Sequence, residues 1–131
     1  MQQLLVTGNL GKDPEMRYTP NGKAVTSFSL ADNRKFTTAD GQSKEETIWI
    51  RVQCWERLAE VVNEFLKKGS QVLVVGELIA DERGNPKIWT GQDGLAHASF
   101  EVRATRVEFL DRKPAEDSVS LVEPPTDESP S

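Results

Sequence analysis

Apolar and polar residues alternate along most of the first 111 positions, and this period of two is typical of β-strands with one buried face. In residues 56–70 the apolar residues instead recur every three or four positions, as on one face of a helix. Gly69 is expected to end this helix, with Lys67 and Lys68 in its last turn. The pattern predicts three strands, the helix and two more strands, the strands lying at residues 2–10, 23–36, 47–55, 71–80 and 98–111.

Turn signals divide these elements. Pro-Asn-Gly at residues 20–22 precedes the second strand, and Asp-Gly in the polar loop 37–46 predicts a long hairpin between the second and third strands. Gly76 predicts a bulge or bend inside the fourth strand, and the turn at residues 84–86 is expected to lead into a further hairpin before the last strand. The order fits an all-β fold with one helix, namely a five-stranded OB-fold barrel with extended hairpins.

The composition changes after Asp111. Residues 112–131 are rich in Pro, Ser and acidic residues, and they contain too few large aliphatic side chains to offset the entropy of ordering. We therefore predict an OB-fold domain over residues 1–111 and a disordered acidic tail over residues 112–131. Of the net charge of −5, the tail carries −3, so a polyanionic partner would need a local basic patch on the nearly neutral domain.

Several classes of protein are not expected. No stretch approaches the roughly 20 apolar residues of a membrane-spanning helix. The N-terminus lacks the pattern of a secretory signal, so a cytoplasmic location is expected. The single Cys54 and single His97 predict no disulfide, metal site or cofactor, and Cys54 is expected to be a small buried side chain. Because no nucleophile elbow or Gly-rich phosphate loop occurs, the chain is not expected to be an enzyme.

Two tryptophans flank an arginine on the third strand. Alternation places Trp49, Arg51, Gln53 and Trp55 on one face. Six residues at about 3.3 Å each separate the two indoles by roughly 20 Å, which leaves room for several nucleotides. Tryptophans on strands also occur in cores and protein interfaces, so both interpretations stay open for this strand alone. The opposite face has the composition of a barrel lining: Ile48, Ile50, Val52 and Cys54.

Two further aromatic residues favour a nucleic-acid surface. Each lies on a projecting hairpin beside basic residues, where a core has little use for it. Stacking on aromatic side chains contributes about 1–3 kcal/mol per base with little regard to sequence, and cations attract the phosphate backbone. The predicted surface for single-stranded nucleic acid has eight members: the aromatic residues Phe36, Trp49, Trp55 and Trp89 and the basic residues Arg34, Lys35, Arg51 and Lys87.

The motifs of the chain resemble those of bacterial single-stranded DNA-binding proteins. They cover most of residues 1–110 in the family's order: VTGNLGKDPEMRYTPNGKAV at 6–25, WIRVQCWERLAEVVNEFLKKGSQVLVVGEL at 49–78, and WTGQDG at 89–94 followed by FEV at 100–102. The resemblance implies that four aromatics stack on DNA, at Phe36, Trp49, Trp55 and Trp89. Phe36 replaces a more usual tryptophan, and Trp55 replaces a more usual phenylalanine.

The resemblance also implies an OB fold, a homotetramer wrapped by single-stranded DNA, and a non-catalytic, largely sequence-independent role in DNA replication, recombination and repair near the nucleoid. The segment 79–88 is longer than the family's hairpin. Family tails usually end in an acidic tip of the Asp-Ile-Pro-Phe type that docks on replication and repair proteins. This chain ends in PPTDESPS without a terminal aromatic, which weakens that expectation.

Two other functions fit parts of the sequence. An OB-fold interaction module of the primosomal type would use protein contacts chiefly and bind nucleic acid secondarily, but four stacking aromatics favour DNA. An RNA-binding module of the cold-shock kind is also compatible with stacking, which does not distinguish ribose from deoxyribose. Its usual sequence signals are absent.

Overall fold

Five strands close into a barrel in the computed structural model, which describes residues 1–111 and the backbone of residues 118–120. The barrel follows the pairing order β1–β3–β4–β8–β5–β1, in which only the β4–β8 pair is parallel. This confirms the predicted OB-fold class. In chain order the elements are β1 (Leu4–Leu10), β2 (Glu15–Tyr18), β3 (Ala24–Thr37), β4 (Ser43–Trp55), α1 (Glu56–Phe65), β5 (Gln71–Leu78), β6 (Ile88–Thr90), β7 (Ala96–Ala98), β8 (Phe100–Phe109) and β9 (Ser118–Ser120).

The barrel interior is the face that alternation predicted. On β4, Ile50, Val52 and Cys54 are buried, while Ile48 is half-buried near the barrel mouth. On β3 the predicted set of Ala24, Thr26, Phe28 and Leu30 is buried as well. The one hydroxyl in that set is satisfied, because Thr26 Oγ1 donates a hydrogen bond of 2.7 Å to the Ala59 carbonyl of α1.

The helix is shorter than predicted. It ends at Phe65, because Leu66 adopts an extended conformation that brings its side chain into the core, where it is 6% exposed. Lys67 and Lys68 therefore lie in the turn after the helix rather than in its last turn, and Gly69 occupies a left-handed position in that turn (φ 91°). Burial of the apolar Leu66 side chain thus ends the helix before Gly69, where the sequence predicted its end.

Both predicted hairpins form, with boundaries that differ from the prediction. The β3–β4 ladder runs without interruption from Val25↔Trp55 to Thr37↔Ser43, well into the predicted loop 37–46. Polar residues can extend a projecting hairpin because both of its faces are solvated. The later hairpin pairs β6 with β7, so Ala98 belongs to that hairpin and not to the last strand. The short strand β2, which pairs with β3, was not predicted.

The predicted irregularity occurs at Gly76, but the extra residue lies on the partner strand. The register between β5 and β8 passes from Val75↔Arg106 to Gly76↔Ala104, so Thr105 of β8 is the bulged residue. A Cβ atom at Gly76 would overlap the carbonyl oxygen of Arg103 on β8. The bulge bends the barrel wall, and only glycine allows the two strands to approach this closely.

The predicted tail falls almost entirely outside the described residues. Within the part that is described, Ser118–Ser120 form β9, which pairs antiparallel with Arg106–Glu108 of β8. Because the sequence analysis predicted a disordered tail, it did not predict β9.

Candidate nucleic-acid interface

The outward residues of β4 form a continuous strip across the barrel wall, which we call the β4 face: Trp49, Arg51, Gln53 and Trp55. Trp49 is 53% exposed and Trp55 is half-buried. The residues of β3 that pair with the β4 face have shorter side chains than the residues of that face: Val25, Ser27, Ser29 and Ala31.

Trp49 lies at one end of this face, above a glycine. A Cβ atom on Gly11 would lie 2.6 Å from Cζ3 of the indole, so the ring rests directly on the backbone there. Beside it is a cleft of about 350 Å³, lined in part by Arg51, Ser99 and Phe100. One edge of the Trp49 indole thus contacts the backbone at Gly11, and another side borders the cleft that Arg51 lines.

Trp55 lies at the other end, where β4 passes directly into α1. It is the residue before the helix, with an extended conformation (φ −118°, ψ 148°), and Glu56 then takes a left-handed conformation (φ 57°). The left-handed conformation is uncommon for a residue other than glycine, and at Glu56 it turns the chain abruptly from the strand into the helix. A second cleft of about 430 Å³ opens beside Trp55.

Trp89 joins this surface from the β6–β7 hairpin. Its ring stacks on His97, with centroids 4.7 Å apart and planes 23° apart, so one face of the indole is covered, while 49% of the residue remains exposed. The indole Nε1 donates a hydrogen bond of 3.4 Å to Ser99, which lines the cleft beside Trp49. Trp89 is therefore connected to the β4 face through Ser99.

His97 also belongs to the candidate site. The sequence analysis considered this residue only as a possible metal ligand. Its position directly opposite Trp89 would have followed from the hairpin register. Its Nε2 lies 3.1 Å from both carboxylate oxygens of Asp93. Hydrogen bonds from the Leu95 backbone N–H and from His97 hold the pKa of Asp93 below its usual value.

Phe36 lies apart from the three tryptophans. It is 47% exposed near the tip of the β3–β4 hairpin. Because the ladder has no register shift, alternation places Phe36 and Arg34 on the opposite face of the hairpin from Trp49. Phe36 and Trp49 therefore do not lie on one face of the hairpin.

The predicted cations differ in their surroundings. On the hairpin, Arg34 lies 3.7 Å from Asp32 and Lys35 lies 3.8 Å from Glu45. Such exposed pairs contribute little and give way readily to a phosphate. Within residues 1–111, Arg51 and Lys87 have no carboxylate within 4 Å. These two positive charges are the less compensated members of the predicted set.

Other chemistry finds little support in the described part of the chain. Burial raises the pKa of the Cys54 thiol to about 12, so this side chain stays a protonated core residue. Among residues 1–111 and 118–120 no three His, Cys, Asp or Glu side chains are grouped to hold a metal ion. The same residues contain no helix with the length and apolar character to cross a membrane.

Known proteins of similar sequence identify the family of this chain. Residues 1–110 match the single-strand binding protein family. The chain is 36% identical over 115 residues to a single-stranded DNA-binding protein of Helicobacter hepaticus, covering 88% of this chain and 64% of that protein. Proteins of the same description from Deinococcus radiodurans (42% over 112 residues, 86% and 35% covered) and Xanthomonas axonopodis (39% over 110 residues, 84% and 58% covered) are also similar. The chain thus spans between about a third and two thirds of these relatives, and it belongs to the single-strand binding protein family.

Proposed function

We propose that this chain binds and protects single-stranded DNA, without catalysis and largely independently of sequence. The observation that carries the proposal is the β4 face, which has Trp49 and Trp55 at its two ends and Arg51 between them. Stacking surfaces separated by a cation match a chain of alternating bases and phosphates. The printed names of the relatives support the same ligand.

In the proposed mechanism, bases stack on the three tryptophans, and longer DNA continues around the hairpin to Phe36. Arg51 and Lys87 attract phosphates directly, while Arg34 and Lys35 exchange their carboxylate partners for phosphates. Because the domain carries a net charge of only −2, stacking supplies much of the affinity. Binding should weaken with salt yet keep a large salt-resistant part.

A titration of intrinsic tryptophan fluorescence with oligothymidylate tests this function. Stacked bases quench indole emission, so we expect strong saturable quenching by the single strand and little by duplex DNA of equal length. Quenching that is absent at low salt, or equal for the duplex, contradicts the proposal. That result would favour the OB-fold interaction module of the primosomal type instead.

An exposed apolar surface supports assembly into a homotetramer, which we propose as the working state. Leu5, Leu78 and Phe100 are exposed around a cleft of about 490 Å³ at the barrel mouth, and Phe100 is 63% exposed. In the described part of the chain, residues 4–7 of β1 pair with β5 on one side only, so their other edge is open to a strand from a second copy. Exposed apolar patches of this kind are typical of protein interfaces.

We further propose that residues 1–111 form the DNA-binding and assembling domain, which acts in DNA replication, recombination and repair in the cytoplasm, near the nucleoid. The family match over residues 1–110 supports these bounds of the domain. The acidic tail lacks the terminal aromatic of the family tip, and we therefore do not assign it the docking of replication and repair proteins.

A chain ending at Asp111 tests these bounds. We expect it to sediment at the tetramer mass and to bind oligothymidylate at least as tightly as the full chain, because an acidic segment has been removed. Dissociation into monomers, or a large loss of affinity, would place part of the domain beyond Asp111.

A further inference from the structure

The cleft beside Trp55 contains two cations that the sequence analysis did not assign to the site. Trp55 supplies an aromatic wall and Gln53 supplies an amide. With a volume of about 430 Å³, the cleft is within the size range of small-ligand sites. Its lining residues are Lys23, Gln53, Trp55, Glu56, Ile79 and Arg103.

Strand register brings the two cations to Trp55 from opposite sides. Lys23 comes two residues before Val25, which pairs with Trp55, so alternation places Lys23 on the same face of the sheet. Arg103 on β8 pairs with Gln53 on β4 in parallel register, two positions from Trp55. Two positive charges therefore flank one aromatic ring and one amide.

These cations have no close carboxylate partner. Within residues 1–111, no carboxylate oxygen lies within 4 Å of Lys23 or Arg103. The nearest acidic neighbours by position are Glu56, which also lines the cleft, and Glu77, which pairs with Arg103 across β5 and β8. An anion entering the cleft would thus meet two cations and one carboxylate, a net charge of +1, and neither cation is held in an ion pair.

We infer that Lys23 and Arg103 bind the phosphates on either side of a nucleotide whose base stacks on Trp55. This inference rests on the proposed function and adds two phosphate-binding residues to it. An aromatic face with an amide suits a base, and flanking cations suit its phosphates. The β4 face then ends in a nucleotide subsite rather than in an isolated stacking residue.

The salt dependence of binding tests the inference. Each phosphate contact on a single strand contributes about 0.7 to the slope of log K against log salt. In the full chain, the double variant Lys23→Ala/Arg103→Ala is expected to lower that slope for oligothymidylate by about 1.4. The control, Lys67→Ala/Arg106→Ala, removes the same charge at residues that line neither cleft on this face. It is expected to change the slope by less than half as much.

Two results would overturn the inference: equal slopes for the two double variants, or an unchanged slope in Lys23→Ala/Arg103→Ala. A Lys23→Arg/Arg103→Lys variant keeps both charges and is expected to restore the wild-type slope. Absence of binding by the wild-type chain would instead refute the proposed function. Circular dichroism of each variant checks that a changed slope is not caused by unfolding.

Discussion

Replacing Trp49 and Trp55 together by alanine is expected to weaken the binding of oligothymidylate by about 2–6 kcal/mol, which is roughly 30-fold to more than 10⁴-fold in affinity. Each indole offers a stacking surface worth about 1–3 kcal/mol per base. The two rings lie at opposite ends of the β4 face, roughly 20 Å apart, so their contributions should add. Neither ring is fully buried, and the loss of folding stability should therefore be small.

Fluorescence anisotropy of a labelled oligothymidylate measures this loss without depending on tryptophan emission. The control is Phe36→Ala, which removes an aromatic of similar exposure to Trp49 from the opposite face of the hairpin. With an oligomer of about 8 nucleotides, too short to pass around the hairpin, this control should bind almost as the wild type does. Full affinity in a folded double variant would assign both tryptophans to a protein interface instead.

The inner and outer faces of the barrel could be predicted because period two acts locally. A strand with one buried face must alternate, so Ile50, Val52 and Cys54 had to face inward if Trp49 and Trp55 faced outward. The helix and the bulge at Gly76 also had local signals, in a change of period and in a glycine within an apolar strand. These features fixed the fold class and the centre of the candidate site.

The parts that escaped prediction depend on pairings between distant residues. The relation of Phe36 to Trp49 depends on the length and register of a hairpin whose tip is polar on both faces. Arg103 reaches the cleft beside Trp55 only through the parallel β4–β8 pair, which joins positions 50 residues apart in sequence. The end of α1 was decided by burial of Leu66 in the core. No local pattern encodes these contacts.

The substitution Gly76→Ala is expected to lower the free energy of unfolding by about 3 kcal/mol, at the upper end of the usual range for overpacking. The added methyl group would meet a backbone atom, the Arg103 carbonyl oxygen, together with Cγ1 of Val102, and a backbone atom cannot move aside as a side chain can. The lower entropy of alanine in the unfolded chain offsets only about 0.4–1 kcal/mol of this cost. Separation of β5 from β8 at this point also shifts Arg103, so we expect weaker DNA binding as well.

Urea unfolding followed by circular dichroism measures the stability of the Gly76 variant. The matched control is Glu77→Ala, which changes the next residue of β5 at an exposed position and should stay within about 0.5 kcal/mol of the wild type. The proposed homotetramer would unfold with a concentration-dependent midpoint, so the chains are compared at one protein concentration. Equal stability of Gly76→Ala and wild type would mean that the bulge relaxes without loss. In that case, closure of the barrel would not depend on the close approach of β5 to β8 at Gly76.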